Sequence, residues 1–226
     1  MELVSPVAFM YAFNKAPLTN GLSGPPLHPS NASGFLGIIF LIHYSNRALI
    51  SPLRTPSRSK AHIIVPLSGI FFNSINGTLM GAYLSSSMAQ SFLKNAFSRP
   101  SFWIGVTLWA LGLAGNIFHD EILLRLRRET KKKSDDGKEH YAIPYGFLYK
   151  YISYPNYFCE WVEWLGFAIA AAPFPGLTIT TAAPPWLFVI SEVFLMAPRA
   201  VKGHAWYHQK FENYPKERKA VIPFVL

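Results

Sequence analysis

Three short runs place hydrogen-bonding and ionisable side chains in or beside apolar sequence, where such groups are costly. In NIFHDEILLRLR, Asn116, Asp120 and Arg127 fall within about 40° of one another at the 100° per residue of an α-helix. In YPNYFCEWVEWLG, Asn156, Glu160 and Glu163 share one face just after Pro155, a residue suited to the first helical position. In PRAVKGHAWYHQKFENYPKERK, Arg199, His204 and Tyr207 stand beside Lys202. An ionisable group inside a membrane span costs about 3 kcal/mol on insertion scales, so each run asks for a reason to exist. Carboxylates and carboxamides can engage ribose hydroxyls or an amide group, and an arginine can hold a phosphate through two parallel hydrogen bonds. Together the three lines suit a nucleotide cofactor. Plainer readings stay open for each: interfacial charges on a helix entering a basic loop, a structural ion pair, and a cationic membrane anchor.

A fourth candidate is Tyr44, in LIHYSNR. A buried phenol can hydrogen-bond a carbonyl oxygen and stabilise the charge that develops there during hydride addition; it can equally be packing. No GxGxxG and no P-loop occurs, which excludes a Rossmann or Walker site as the means of holding a nucleotide. The single Cys159 excludes an internal disulfide and a cysteine-based zinc site. The seven histidines are scattered, with His204 and His208 the one pair at i,i+4 spacing, so no metal centre is expected.

These residues need elements to hold them, and the composition indicates which kind. Of 226 residues, 50% are hydrophobic and only 15% charged, where a soluble domain carries about a quarter. The charges gather in short clusters between long apolar stretches. That pattern predicts an all-α, polytopic transmembrane helix bundle in one membrane-embedded domain over 1–226. Full spans are expected at 35–50, 62–84, 101–124, 145–170 and 177–197, with a partial one at 3–14, since about 20 residues cross a bilayer. The connecting segments are 16–34, 54–60, 85–100, 125–138 and 171–185. The basic ones, 54–60 and 125–138, and the tail 199–219 all fall on one side, the cytosolic one by the positive-inside rule. That rule accounts for most of the net charge of +9, so nucleic acid is not an expected partner; the bilayer is. Asn31-Ala32-Ser33 and Asn76-Gly77-Thr78 match the glycosylation sequon, the second inside a span.

The segments LIHYSNRALISPL (41–53), FNSINGTLMGAYL (72–84), GNIFHDEILLRLR (115–127), YAIPYGFLYKYISYPNYFCEWVEWLGFA (141–168) and FENYPKERKAVIPFVL (211–226) resemble the steroid 5α-reductase family. The likeness is densest over 115–226. It implies a seven-span endoplasmic reticulum enzyme, its C-terminus cytosolic. It also implies that NADPH delivers hydride to the β-carbon of an α,β-unsaturated ketone in a steroid or related lipid, and that a proton adds at the α-carbon. Matched motif to motif, Tyr44 takes the place of the tyrosine that binds the substrate carbonyl, and Glu2 that of its glutamate partner. Asn116, Asp120, Arg127, Tyr141, Asn156, Glu160, Arg199 and Tyr207 match cofactor contacts, with Arg58 a further match in the basic loop.

The chain also departs from the family pattern. Phe118 stands where the family carries a histidine, with His119 one step on; Ala142 replaces a basic residue; Gly203-His204 replaces a histidine pair. The family has a first span and most of a second before the glutamate, which implies that Met1 is an internal methionine of a longer protein. Two other readings remain at this stage. One is a membrane methyltransferase of the isoprenylcysteine type, similar in its last span and F-x-x-Y-P tail; the other is a catalytically inactive, truncated membrane protein.

Overall fold

The computed structural model describes residues 1–19, 24–55, 62–133, 141–173 and 184–226. Regular structure among them is helical, apart from an isolated parallel bridge between Ile152 and Lys219. The chain divides into two compact units, Met1–Thr107 with Leu165–Phe188, and Leu108–Trp164 with Val189–Leu226.

The first unit is built on α1 (Val4–Lys15), α2 (Ala32–Ser45), a π turn (Asn46–Ile50), α3 (Ser51–Arg54), α4 (Ile64–Ser85) and α5 (Ser87–Leu93). Helix α2 starts at Asn31, whose side chain accepts from the Gly34 N–H at 3.0 Å and satisfies one of the amides that a helix start leaves unpaired. The first sequon asparagine is therefore a helix cap. Helix α1 lies on α4 across Gly77 and Gly81. A Cβ at Gly77 would collide with the Ser5 carbonyl, and one at Gly81 with that of Phe9. Where lipid removes the hydrophobic drive between helices, such close backbone approach is what packing has to exploit. The fully buried rings of Phe9, Phe13 and Phe40 complete this core: Phe9 stacks on Phe40 at 4.5 Å and on Phe13 at 5.5 Å.

Three helices begin on proline: α6 (Pro100–Lys133), α7 (Pro155–Ala171) and α8 (Pro184–Lys210), as suits a residue with no N–H to leave unpaired. In the second unit α6 and α7 approach closely at Gly112 and Gly115, where a Cβ would run into the Glu163 main chain and the Cys159 sulfur. The C-terminal segment is tied to the residues before α7: Ser153 N–H donates to Lys219 O, Tyr154 N–H to Ala220 O, and Lys219 N–H to Tyr151 O, at 2.9–3.0 Å.

Several boundaries differ from those expected. The span expected over 145–170 becomes helical only at Pro155. Gly146 at φ 105° turns the chain, a short 3-10 turn covers Phe147–Lys150, and the main chain of 151–154 is engaged by the C-terminal segment. Tyr154 also precedes a proline, which disfavours helical backbone there. Helix α6 runs on to Lys133, because LLRLRRETKKK is rich in good helix formers. The expected polar loop at 85–100 contains α5, capped by the Ser86 hydroxyl accepting from Ala89 N–H. Helix α8 continues past 197 to Lys210, and 177–183 lie outside the described residues. Among the described residues two helical stretches, Ala32–Arg54 and Pro100–Lys132, are long and apolar enough to cross a bilayer. Helix α4 spans 22 residues, but Asn73, Ser74, Asn76 and Thr78 dilute its apolar character.

Candidate functional site

The last turn of α2 carries Tyr44, 4% exposed, with its ring 4.8 Å from Phe40 and 5.0 Å from His43. The buried Asn76 of α4 donates from Nδ2 to the Tyr44 hydroxyl at 2.9 Å. Asn76 precedes the glycine notch against α1, so the packing that brings α4 close also fixes this carboxamide. Glu2 is held by Arg47, in the π turn, at 3.5 Å from Nε to Oε1. The structure thus pairs Tyr44 with Asn76 and Glu2 with Arg47, and does not join the two expected catalytic residues by a hydrogen bond.

In the second unit the first two polar lines pair residue by residue. Asn116 of α6 donates to Glu160 Oε2 of α7 at 3.1 Å, both side chains buried; Asn156 donates to Asp120 Oδ1 at 3.0 Å. Glu163 is fully buried one turn deeper. These are carboxamide–carboxylate pairs, which satisfy groups otherwise expensive to bury.

The third line lies on the tail of α8. The half-buried His204 shares a 2.6 Å hydrogen bond with the Ser153 hydroxyl, which also contacts the Tyr214 hydroxyl at 2.7 Å. Burial lowers the His204 pKa, with His208, Lys219 and Arg218 adding to the effect, so the ring is neutral at neutral pH. Tyr207 stacks on Tyr214 at 5.1 Å and 18°. Burial raises its pKa to about 12, helped by Tyr214 and opposed by Arg127 and Arg218; it is a phenol in the physiological range. Tyr141 is exposed, its ring edge-on to Trp206 at 4.9 Å. Arg127 and Arg199 are exposed, with no carboxylate partner among the described residues. Arg58 lies outside the described residues.

This donor set fits a dinucleotide phosphate. Two unpaired guanidinium groups can meet phosphates, and the carboxamide–carboxylate pairs offer donors and acceptors to hydroxyl and amide groups. Among the described residues no group of three or more histidine, cysteine or acidic side chains could hold a metal ion.

Sequence reasoning passed over Asn76, Ser153 and Tyr214 as site residues. Asn76 carried the same signal as Asn116, a carboxamide in apolar sequence, yet it drew notice only as a sequon. The departures have structural counterparts. Phe118 is exposed, edge-on to Phe147 at 4.5 Å. His119 is buried, with Nδ1 2.6 Å from Gly115 O and Nε2 accepting from Leu148 N–H at 3.4 Å. At Gly203 the Tyr154 hydroxyl fills the space that any Cβ would need.

The sequence profile of a family described as 3-oxo-5-alpha-steroid 4-dehydrogenase matches residues 59–226, well over half of the chain. The chain belongs to the 3-oxo-5-alpha-steroid 4-dehydrogenase family. All the second-unit candidates fall inside that match. An uncharacterized protein of Schizosaccharomyces pombe is 41% identical over the whole chain and 82% of its own length, an alignment that takes in Glu2 and Tyr44. The rat 3-oxo-5-alpha-steroid 4-dehydrogenase 1 is 37% identical over 83% of this chain, and the tomato steroid 5-alpha-reductase DET2 35% identical over 82%. In both cases the match spans 66% of the relative's length. Membership in this 3-oxo-5-alpha-steroid 4-dehydrogenase family sets aside the isoprenylcysteine-type methyltransferase reading.

Proposed function

We propose that the chain carries the machinery of a membrane-embedded, NADPH-dependent reductase of the C=C bond of an α,β-unsaturated ketone, with a 3-oxo-4-ene steroid or a related enone lipid as substrate. The observation that carries this reading is a buried phenol, Tyr44, hydrogen-bonded to the carboxamide of Asn76 among aromatic rings, in a member of a family whose named relatives act on such steroids.

When bound, NADPH supplies the hydride, which adds to the β-carbon of the enone. Negative charge then moves onto the carbonyl oxygen. There the Tyr44 O–H donates a hydrogen bond that is stronger to the developing enolate than to the ketone, so it lowers the barrier. Asn76 donates to the phenol oxygen and makes the phenolic hydrogen a better donor, a cooperative effect that a low-dielectric site enlarges. Glu2, ion-paired to Arg47, is assigned the role of orienting the groups around Tyr44. A proton added at the α-carbon completes the saturated ketone. Asn116, Asp120, Asn156 and Glu160 would bind the ribose and amide portions of the cofactor, while Arg199, Arg127 and Arg58 would take phosphates. His204, Tyr207 and Tyr141 would supply further contacts to it. We assign the protein to the endoplasmic reticulum membrane in several passes with a cytosolic C-terminus, on the side of its basic segments.

The test is NADPH oxidation by microsomes containing the protein, with and without a 3-oxo-4-ene steroid. Steroid-dependent oxidation with formation of the 4,5-saturated ketone is expected. Oxidation that ignores the steroid, or none in the presence of saturating cofactor, would refute the reading.

A further inference from the structure

In the second unit, the chain between α6 and α7 and the C-terminal segment line a cavity of about 690 Å³. Its wall includes His119, Tyr145, Phe147, Lys150, Tyr151 and Arg218, and none of the described cofactor candidates. Arg218 is 3% exposed, yet among the described residues no carboxylate pairs with it. Its guanidinium lies between the rings of Tyr145 and Tyr214, at 5.0 and 5.1 Å from their centroids. Among the described residues its one side-chain hydrogen bond runs from Nη1 to the Tyr214 hydroxyl at 3.4 Å, and the buried Nε has no partner there. Lys150 is an exposed second cation, 5.5 Å above the Tyr151 ring. His119, accepting from Leu148 N–H, contributes a neutral ring.

A guanidinium removed from water without an anion is costly, and buried charges in folded proteins are paired or hydrogen-bonded. Two rings can offset part of that cost through cation–π attraction but leave Nε unanswered. The rest of the wall is aromatic or apolar. Exposed Phe147 and Tyr145 stand at it, and Phe224 packs on Tyr151 at 5.3 Å. Cationic groups set in an apolar wall beside a basic membrane flank are the chemistry that takes lipid head groups.

We propose that this cavity binds a phosphate oxyanion carried on an apolar or aromatic body, with Arg218 and Lys150 as its cationic ligands. Two sources share that chemistry: the head group of an anionic phospholipid, and the phosphate of a nucleotide. The site adjoins the third polar line through Tyr214, which stacks on Tyr207, but none of its lining residues is a cofactor candidate.

The test uses the full chain in detergent, with phosphatidic acid, phosphatidylcholine and adenosine 2′,5′-bisphosphate as probes, and native mass spectrometry and thermal shift as readouts. Lys150→Gln is the informative variant, because an exposed lysine can be replaced without threatening the fold; Arg218→Gln is the stronger one. Phosphatidic acid should bind and stabilise the protein, phosphatidylcholine should not, and Lys150→Gln should weaken binding about tenfold, as befits a lost charge-assisted hydrogen bond. The bisphosphate binding in its place, with the same sensitivity to Lys150→Gln, would support the oxyanion site and identify its source as a nucleotide. Equal retention of both lipids, or binding of phosphatidic acid unaltered by Lys150→Gln, would overturn the proposal.

Discussion

In the first unit the candidate hydroxyl is walled by rings: Tyr44 has Asn76 at 2.9 Å on one side and Phe40 and His43 on others. In the second they form a ladder, Asn116 with Glu160 and Asp120 with Asn156, continued by Ser153, His204 and Tyr214. A single donor in an apolar wall can act on one atom whose charge changes. A ladder of paired donors and acceptors can grip a large, permanently polar molecule at many points. On the proposed function, chemistry and holding would fall to side chains with different surroundings, and variants in the two units should fail differently.

The sharpest separation should come from Tyr44→Phe, which removes one hydroxyl. Loss of a donor to a developing oxyanion costs about 10²–10³-fold in turnover, so kcat should fall by that order while NADPH affinity stays within about twofold. An equal loss in both would erase the division of labour.

Next in size is Glu160→Ala. It leaves the buried Asn116 carboxamide unpaired, at a cost of about 1–3 kcal/mol. Thermal unfolding with and without NADPH should show lowered stability in both conditions and a smaller cofactor-induced shift. Asn116→Ala combined with Glu160→Ala should recover part of the stability, because both partners then leave together, but none of the cofactor shift.

Arg199→Ala should raise the Kd for NADPH about tenfold, the scale of a lost charge-assisted contact. It should leave kcat at saturating cofactor near that of the parent. A kcat loss as deep as that of Tyr44→Phe would sink the assignment of roles.

The smallest effect concerns pH. The His204 pKa is lowered in the folded protein, so above about pH 6.5 the ring is neutral both folded and unfolded and contributes no pH slope. As pH falls below that value the unfolded state takes up the proton first, and stability is lost until the folded pKa is reached. His204→Asn should flatten this acid limb in melting experiments between pH 7 and 5, with little change at pH 8.

Much of this arrangement was legible in the sequence. The spacing of Asn116 with Asp120, and of Asn156 with Glu160, placed each pair on one helix face, because 3.6-residue periodicity is a local property. Which face met which was not legible: that Asn116 reaches Glu160 depends on α6 and α7 closing at Gly112 and Gly115. The late start of α7 was hidden for a similar reason. Residues 145–154 are apolar enough to read as a span, and the bonds from Ser153 and Tyr154 to the C-terminal segment, 66 residues on, help take their backbone out of the helix. Asn76 was visible as a residue and silent as a partner, since a separation of 32 positions from Tyr44 carries no periodic trace of their meeting.

The Tyr154 hydroxyl in the space beside Gly203 has a historical consequence. With that phenol in place, a mutation at Gly203 to a larger residue requires the Tyr154 ring to move, because even one methyl group would overlap it. A smaller residue at 154 would remove that requirement. The two positions are therefore expected to change together, and chimeras that exchange one without the other should be less stable than either parent.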